Sequence, residues 1–145
     1  MRNSAFFVEF ADVIRPAVKT SKIVVTGGFR TSEGMVRAVR SGSTDLVGIG
    51  RPTCEEPHFA SLILSGKVTS ARKPLFPENE DVLLMFAAGT QIAQIGLGEV
   101  PFNTALPADA EKFKIAIAMH MQKLQEAARA GIILAGYPEM LRASS

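Results

Sequence analysis

The sequence predicts an α/β fold in which parallel βα units come first and a mostly helical segment follows. Three observations carry this reading. Two short runs, "KIVVT" at 22–26 and "DLVGI" at 45–49, are β-branched and uninterrupted enough to be strands. An amphipathic helical pattern separates them, and another precedes and another follows. The order helix, strand, helix, strand, helix argues for parallel strands joined by crossover helices.

Taken in order, residues 4–19 place Phe7, Phe10, Ile14 and Val18 at helical spacing, with Phe6 and Ala11 widening the stripe. Pro16 weakens the last turn because it removes a helical hydrogen bond. The strand at 22–26 is expected to be buried on both faces, as in a parallel sheet. Thr31 and Ser32 offer N-caps, and Glu33 suits the positive end of a helix dipole. Met35, Ala38 and Val39 then give the apolar stripe, and Gly42 supplies a stop. After the second strand, Pro57 opens a helix with Phe59, Leu62 and Ile63 turned inward and Gly66 at its end.

Residues 68–79, "VTSARKPLFPEN", read as a polar, proline-rich surface loop. Residues 81–98 are apolar but rich in Gly and Ala, and periodicity does not assign them. "PFNTALPAD" reads as a second loop. A strong helix is expected at about 108–130, with Phe113, Ile117, Met121, Leu124 and Ala128 on one stripe. The expected division is 1–77 for the βα segment and 78–145 for a C-terminal extension. Two parallel strands alone leave unpaired edges, so the first half reads as a section of a larger βα structure.

Composition narrows the function classes. Of 145 residues, 47% are hydrophobic and 21% charged, as in an ordinary globular domain. The net charge of +2 is small and the basic residues are dispersed, which argues against a nucleic-acid partner. No apolar run reaches the length of a membrane span, and acids at Glu9 and Asp12 interrupt any signal peptide. With the single cysteine, Cys54, the expected setting is cytoplasmic.

The chemistry lies in the two glycine turns. "TGGFR" follows the first strand and "GIGRP" follows the second. Glycines at strand ends let backbone N–H groups converge on an anion, and adjacent parallel strands put both turns on one edge. Gly27, Gly28, Gly50 and Arg51 could then face one phosphate, the arrangement that (β/α)8 barrels build after their seventh and eighth strands. Either turn alone reads as ordinary turn chemistry; the pair, one βα unit apart and each followed by arginine, points to an anion site. Neither is a Walker motif, since the lysine and Ser/Thr are missing, and Gly48 with Gly50 supplies only the first half of G-x-G-x-x-G.

With "FADVIRPAVK", "IVVTGGFRTSEGM" and "SGSTDLVGIGRP" in this order, the chain from about Phe6 to about Pro77 resembles the C-terminal end of the Old Yellow Enzyme family, FMN-dependent NAD(P)H:flavin oxidoreductases. The resemblance implies the C-terminal section of a TIM (β/α)8 barrel, about strands seven and eight with flanking helices, followed by a helical extension. It implies FMN as cofactor, with Gly27 and Gly28 as strand-seven contacts to its phosphate and Gly50 and Arg51 as strand-eight contacts. Phe29 would lie near the flavin edge, and Arg30 is either a further charge or the partner of a neighbouring acid. It implies hydride transfer from NAD(P)H to the flavin and on to a small-molecule electron acceptor. The family's ring-binding residues, histidine pair and proton-donating tyrosine match no position here. No catalytic residue is therefore assigned, and the chain is expected to hold the FMN phosphate without turning over substrate by itself.

Other residues read as structural. His58 stands at a helix start and His120 in a helix without a second ligand, so no metal site is assigned. Cys54 lies three residues after Arg51 without a histidine base, and reads as a small buried or half-buried residue. Met119 and Met121 read as packing, and Glu55, Glu56, Glu78, Glu80 and Asp81 as solvated loop charges. The alternative function is a non-catalytic α/β module that binds a phosphate-bearing ligand, or a second protein chain through the long helix.

Overall fold

In a computed structural model, residues 4–77 and 80–140 are described, the side chains of residues 4–6 excepted. They divide into two compact units, Met1–Ala71 and Arg72–Ser145.

The first unit is mixed helix and sheet. Helix α1 (Ser4–Ile14) gives way to a short 3-10 turn at Arg15–Ala17. The helix stops there because Pro16 enters at the first turn of the 3-10 segment and leaves no donor for the α-helical ladder. Strand β1 (Val24–Thr26) and strand β2 (Leu46–Gly48) pair in parallel, Val24 with Leu46, Val25 with Val47 and Thr26 with Gly48. Helix α2 (Ser32–Arg40) crosses between them. Its N-cap is Thr31, whose Oγ1 accepts from the Gly34 N–H at 3.2 Å. Two short helices follow β2: α3 (Arg51–Glu55) and α4 (Phe59–Leu64). The expected alternation is present; α3, a single turn directly after the second glycine turn, was not anticipated.

The core of this unit gathers Ala11, Ile23, Val25, Phe29, Met35, Ala38 and Phe59. Phe59 is completely buried, which removes roughly 1.5–3 kcal/mol of apolar cost from water. The expectation that both strand faces are buried is corrected. Val25 is 5% exposed, but Val24 is 54% and Leu46 57% exposed on the opposite face. Helices cover only one side of the strand pair within this unit, and the side chains of alternating parity are left open.

Polar side chains ahead of β2 join it to β1. Asp45, just before β2, receives the Arg15 guanidinium at 2.5 and 3.2 Å, the Ile23 N–H at 2.9 Å and Lys22 Nζ at 3.4 Å. Thr44, 1% exposed, accepts from the Val25 N–H at 3.1 Å, and its hydroxyl lies 2.9 Å from the Ile23 carbonyl and 2.6 Å from that of Leu46. These bonds join the segment ahead of β2 to β1 where ladder pairing has not yet begun.

The second unit contains helix α5 (Asp81–Gly96) and helix α6 (Pro107–Arg129). The 81–98 stretch, unassigned by periodicity, is therefore largely helical. Its core contains Phe76, Leu84, Ala87, Phe102, Ala110 and Phe113. Phe102 stacks on Phe113 at 4.9 Å between ring centroids, and Phe76 is tilted against Phe113 at 5.6 Å. Both segments read as surface loops therefore contribute a buried phenylalanine to this core. The inward stripe of α6 is Ala110, Phe113, Ala116 and His120; Met121 and Ala128, expected on it, are exposed. The choice between adjacent helix positions is made by the rings that α6 meets.

Candidate functional site

The site is built where β1 and β2 end. Because the strands are parallel and in register through Thr26 and Gly48, the two turns leave the sheet on the same edge. They enclose a hollow with a cavity volume of about 250 Å³. Residues 26–30 form one wall; Gly48, Gly50, Arg51 and Pro52 form the other. All five residues assigned to phosphate and flavin contacts, Gly27, Gly28, Phe29, Gly50 and Arg51, thus line one cavity.

The backbone explains the glycines. Gly27 and Gly28 have φ of 123° and 74°, a region that side-chain-bearing residues rarely adopt. A Cβ on Gly27 would also come within 3.1 Å of the Phe7 ring. Gly48 is required for a different reason, since a Cβ there would lie 1.9 Å from Thr26 Oγ1. Gly50, the residue before α3, has open space where a side chain would stand.

The wall after β1 is held from outside. The Ser32 N–H donates to the Thr69 carbonyl and the Ala71 N–H to the Arg30 carbonyl, each at 2.8 Å, with an antiparallel bridge between Thr31 and Ser70. The segment after α4, read as a surface loop, thereby fixes the turn that follows Gly28. Phe29 is 6% exposed and packs in the core of the unit, so its ring anchors this turn from beneath.

The second wall is held locally. Thr53 Oγ1 donates to the Gly50 carbonyl at 2.7 Å, and the Thr53 N–H donates to the same carbonyl at 2.9 Å. Arg51 is exposed and makes no ion pair among the described residues. Arg30 also lines the hollow. A hollow with two arginines on its wall and glycine backbone on both sides is suited chemically to an oxyanion.

Cys54 is half-buried, with Sγ 3.9 Å from the Gly50 carbonyl. Burial raises its pKa, so the thiol is held protonated rather than activated. His58 is exposed at the start of α4. His120 is buried in the second unit beside the Phe86 ring at 5.6 Å, a packing position. Among the described residues no group of three or more His, Cys, Asp or Glu could hold a metal ion. Among the described residues no helix is long and apolar enough to cross a membrane. Thr26 and Pro52 were not singled out from the sequence. The signal for Thr26 was its parity with Val24, which puts it on the uncovered face.

Fold and site together define a class: parallel βα units whose strand-end turns form a hollow lined by glycine backbone and two arginines. Comparison with known proteins finds chains of similar sequence. The chain is 36% identical over 95 residues to the NADH-dependent flavin oxidoreductase nadA of Aspergillus parasiticus, covering 66% of this chain and 21% of that protein. It is 35% identical over 106 residues to the NADH-dependent flavin oxidoreductase iliE of Neonectria sp., covering 69% of this chain and 13% of that protein. It is 43% identical over 53 residues to the NADH-dependent flavin oxidoreductase iccE of Talaromyces variabilis, covering 37% of this chain and 13% of that protein. No family model matches the chain. The chain therefore spans between about an eighth and a fifth of the length of these relatives. The resemblance to Old Yellow Enzyme-like flavin oxidoreductases is borne out by these homologues.

Proposed function

We propose that this chain is the phosphate-holding part of an FMN-dependent NAD(P)H oxidoreductase of the Old Yellow Enzyme type. The observation that carries the reading is the convergence of Gly27, Gly28, Gly50 and Arg51 on one hollow at the ends of two parallel strands. The cradle fits a phosphate: the positive φ of Gly27 and Gly28 turns the backbone along the hollow, and no side chain stands at Gly50. Arg51 supplies a positive charge with no competing acid among the described residues.

In this reading the chain forms strands seven and eight of a (β/α)8 barrel, and the open face of Val24 and Leu46 looks toward the barrel interior. FMN, when bound, supplies hydride chemistry between NAD(P)H and a small-molecule acceptor. The residues of this chain position it. Backbone amides of the two turns and the Arg51 guanidinium hold the phosphate, and Phe29 keeps the first turn in place from the core.

The test is titration of the full chain with FMN, followed by flavin fluorescence. Saturable binding at tens of micromolar or tighter is expected. Arg51→Ala should weaken it about tenfold or more, since hydrogen bonds to charged groups contribute about 1.5–3 kcal/mol. Affinity unchanged by Arg51→Ala would overturn the phosphate assignment.

A further inference from the structure

The hollow holds one polar side chain that neither the glycine-turn reading nor the relatives' names assign. We propose that Thr26 is a ligand-contacting, specificity-determining residue. Its hydroxyl hydrogen-bonds the first polar group of an organic phosphate beyond the phosphate itself, so the site prefers a hydroxylated phosphate ester to free phosphate. This rests on the phosphate reading above and extends it to the organic part of the ligand.

Position is the first argument. Along β1 burial alternates, with Val24 and Thr26 exposed and Val25 buried. Thr26 therefore stands on the uncovered face of the strand pair, away from the helices. It is also the last residue of β1, directly opposite Gly48, the last of β2. The glycine turns and Arg51 lie beyond these two residues along the chain. A phosphate held at the turns has its organic substituent free to run back over Thr26.

Space is the second argument. A Cβ on residue 48 would sit 1.9 Å from Thr26 Oγ1, so only glycine there leaves room for this hydroxyl. Gly48 is not needed for a left-handed backbone, since its φ is not positive. Its absent side chain keeps the place of Thr26 Oγ1 open.

Hydrogen-bonding capacity is the third. The other threonine hydroxyls of this region are engaged: Thr44 with Val25, Ile23 and Leu46, Thr31 with Gly34, and Thr53 with Gly50. Among the described residues Thr26 Oγ1 makes no hydrogen bond, yet it lines the hollow. A hydroxyl can both donate and accept, which suits a ligand hydroxyl better than it suits an anion that only accepts.

The experiment uses the full chain with FMN as the fluorescent probe and inorganic phosphate as competitor. Thr26→Val keeps the shape and β propensity but loses the hydroxyl; Thr26→Ser keeps the hydroxyl. Thr26→Val should weaken FMN binding about 3- to 10-fold, the worth of one neutral hydrogen bond. It should leave the inhibition constant of inorganic phosphate unchanged. Thr26→Ser should stay within about twofold of the unsubstituted chain. Circular dichroism melts establish that the variants fold, and Thr26→Ala replaces the valine variant if that melt is displaced.

Each other outcome is decisive. If the unsubstituted chain binds no FMN, the phosphate reading and this inference fall together. If Arg51→Ala weakens FMN but Thr26→Val does not, the phosphate reading stands and the role of Thr26 is wrong. If Thr26→Val weakens FMN and inorganic phosphate equally, Thr26 touches the phosphate and the assignment to the organic part is overturned.

Discussion

Gly48 and Asp45 show how single residues of β2 and its approach act in opposite ways. Gly48 acts by absence. Adding one methyl would bring a carbon to 1.9 Å from Thr26 Oγ1, and Thr26 cannot retreat because its strand is paired to the one that carries Gly48. Gly48→Ala is expected to cost about 1–3 kcal/mol through strand displacement, read as a lower midpoint in urea unfolding with the slope preserved. Asp45 acts by presence. The Arg15 guanidinium beside it, helped by the Ile23 N–H, holds its carboxyl far below the usual carboxylate range. The sign follows from linkage: a depressed carboxylate pKa adds stability above the unfolded-state value of about 4, and this is lost as pH falls toward the folded value. Asp45→Asn should therefore lower the melting temperature at pH 7 and flatten its decline below about pH 4. A parallel decline in both proteins would show that Asp45 does not govern the acid limb.

Among the elements, α5 is the one whose sequence pattern conceals it. Gly89, Thr90 and Gln91 interrupt the apolar run of 81–98, yet all three are buried. Tyr137 packs so closely on Gly89 that a Cβ there would lie 2.1 Å from its ring. Thr90 Oγ1 donates to the Pro138 carbonyl at 2.8 Å, and Gln91 Nε2 to the Phe102 carbonyl at 3.0 Å. Gln94 Oε1 accepts from the Phe102 N–H at 2.9 Å. The polar positions that spoil the periodicity are those that tie the helix to chain beyond its C-terminus, at Phe102 and Pro138. Gln91→Leu should thus destabilise despite its greater hydrophobicity, because the Phe102 carbonyl loses its partner, by about 1–3 kcal/mol. Phe113→Ala should cost more, about 3–5 kcal/mol, as Phe102 and Phe76 both lose the ring between them. Thermal unfolding ranks the two.

For the whole molecule, the hollow is made entirely from residues of the first unit. FMN present at about a hundredfold its dissociation constant should stabilise the bound form by about 2.7 kcal/mol. Hydrogen exchange should then slow at amides of residues 23–55, where the ladder and both turns lie. Slowing confined to residues 80–140 would place the ligand elsewhere.

The sequence by itself determined the alternation of the first unit, the parallel pairing of its strands and the glycine turns at their ends. These depend on neighbours in the chain: β-branched runs, a threonine cap three residues ahead of a free N–H, glycines where φ must be positive. Tertiary structure decided the rest. It turned Phe76 and Phe102 from loop residues into core, chose His120 over Met121 for the inner face of α6, and pinned Arg30 and Ser32 to residues 69–71. It also left Val24, Thr26 and Leu46 uncovered. Which side of a strand is buried depends on what packs there, and no local pattern of β-branched residues carries that information.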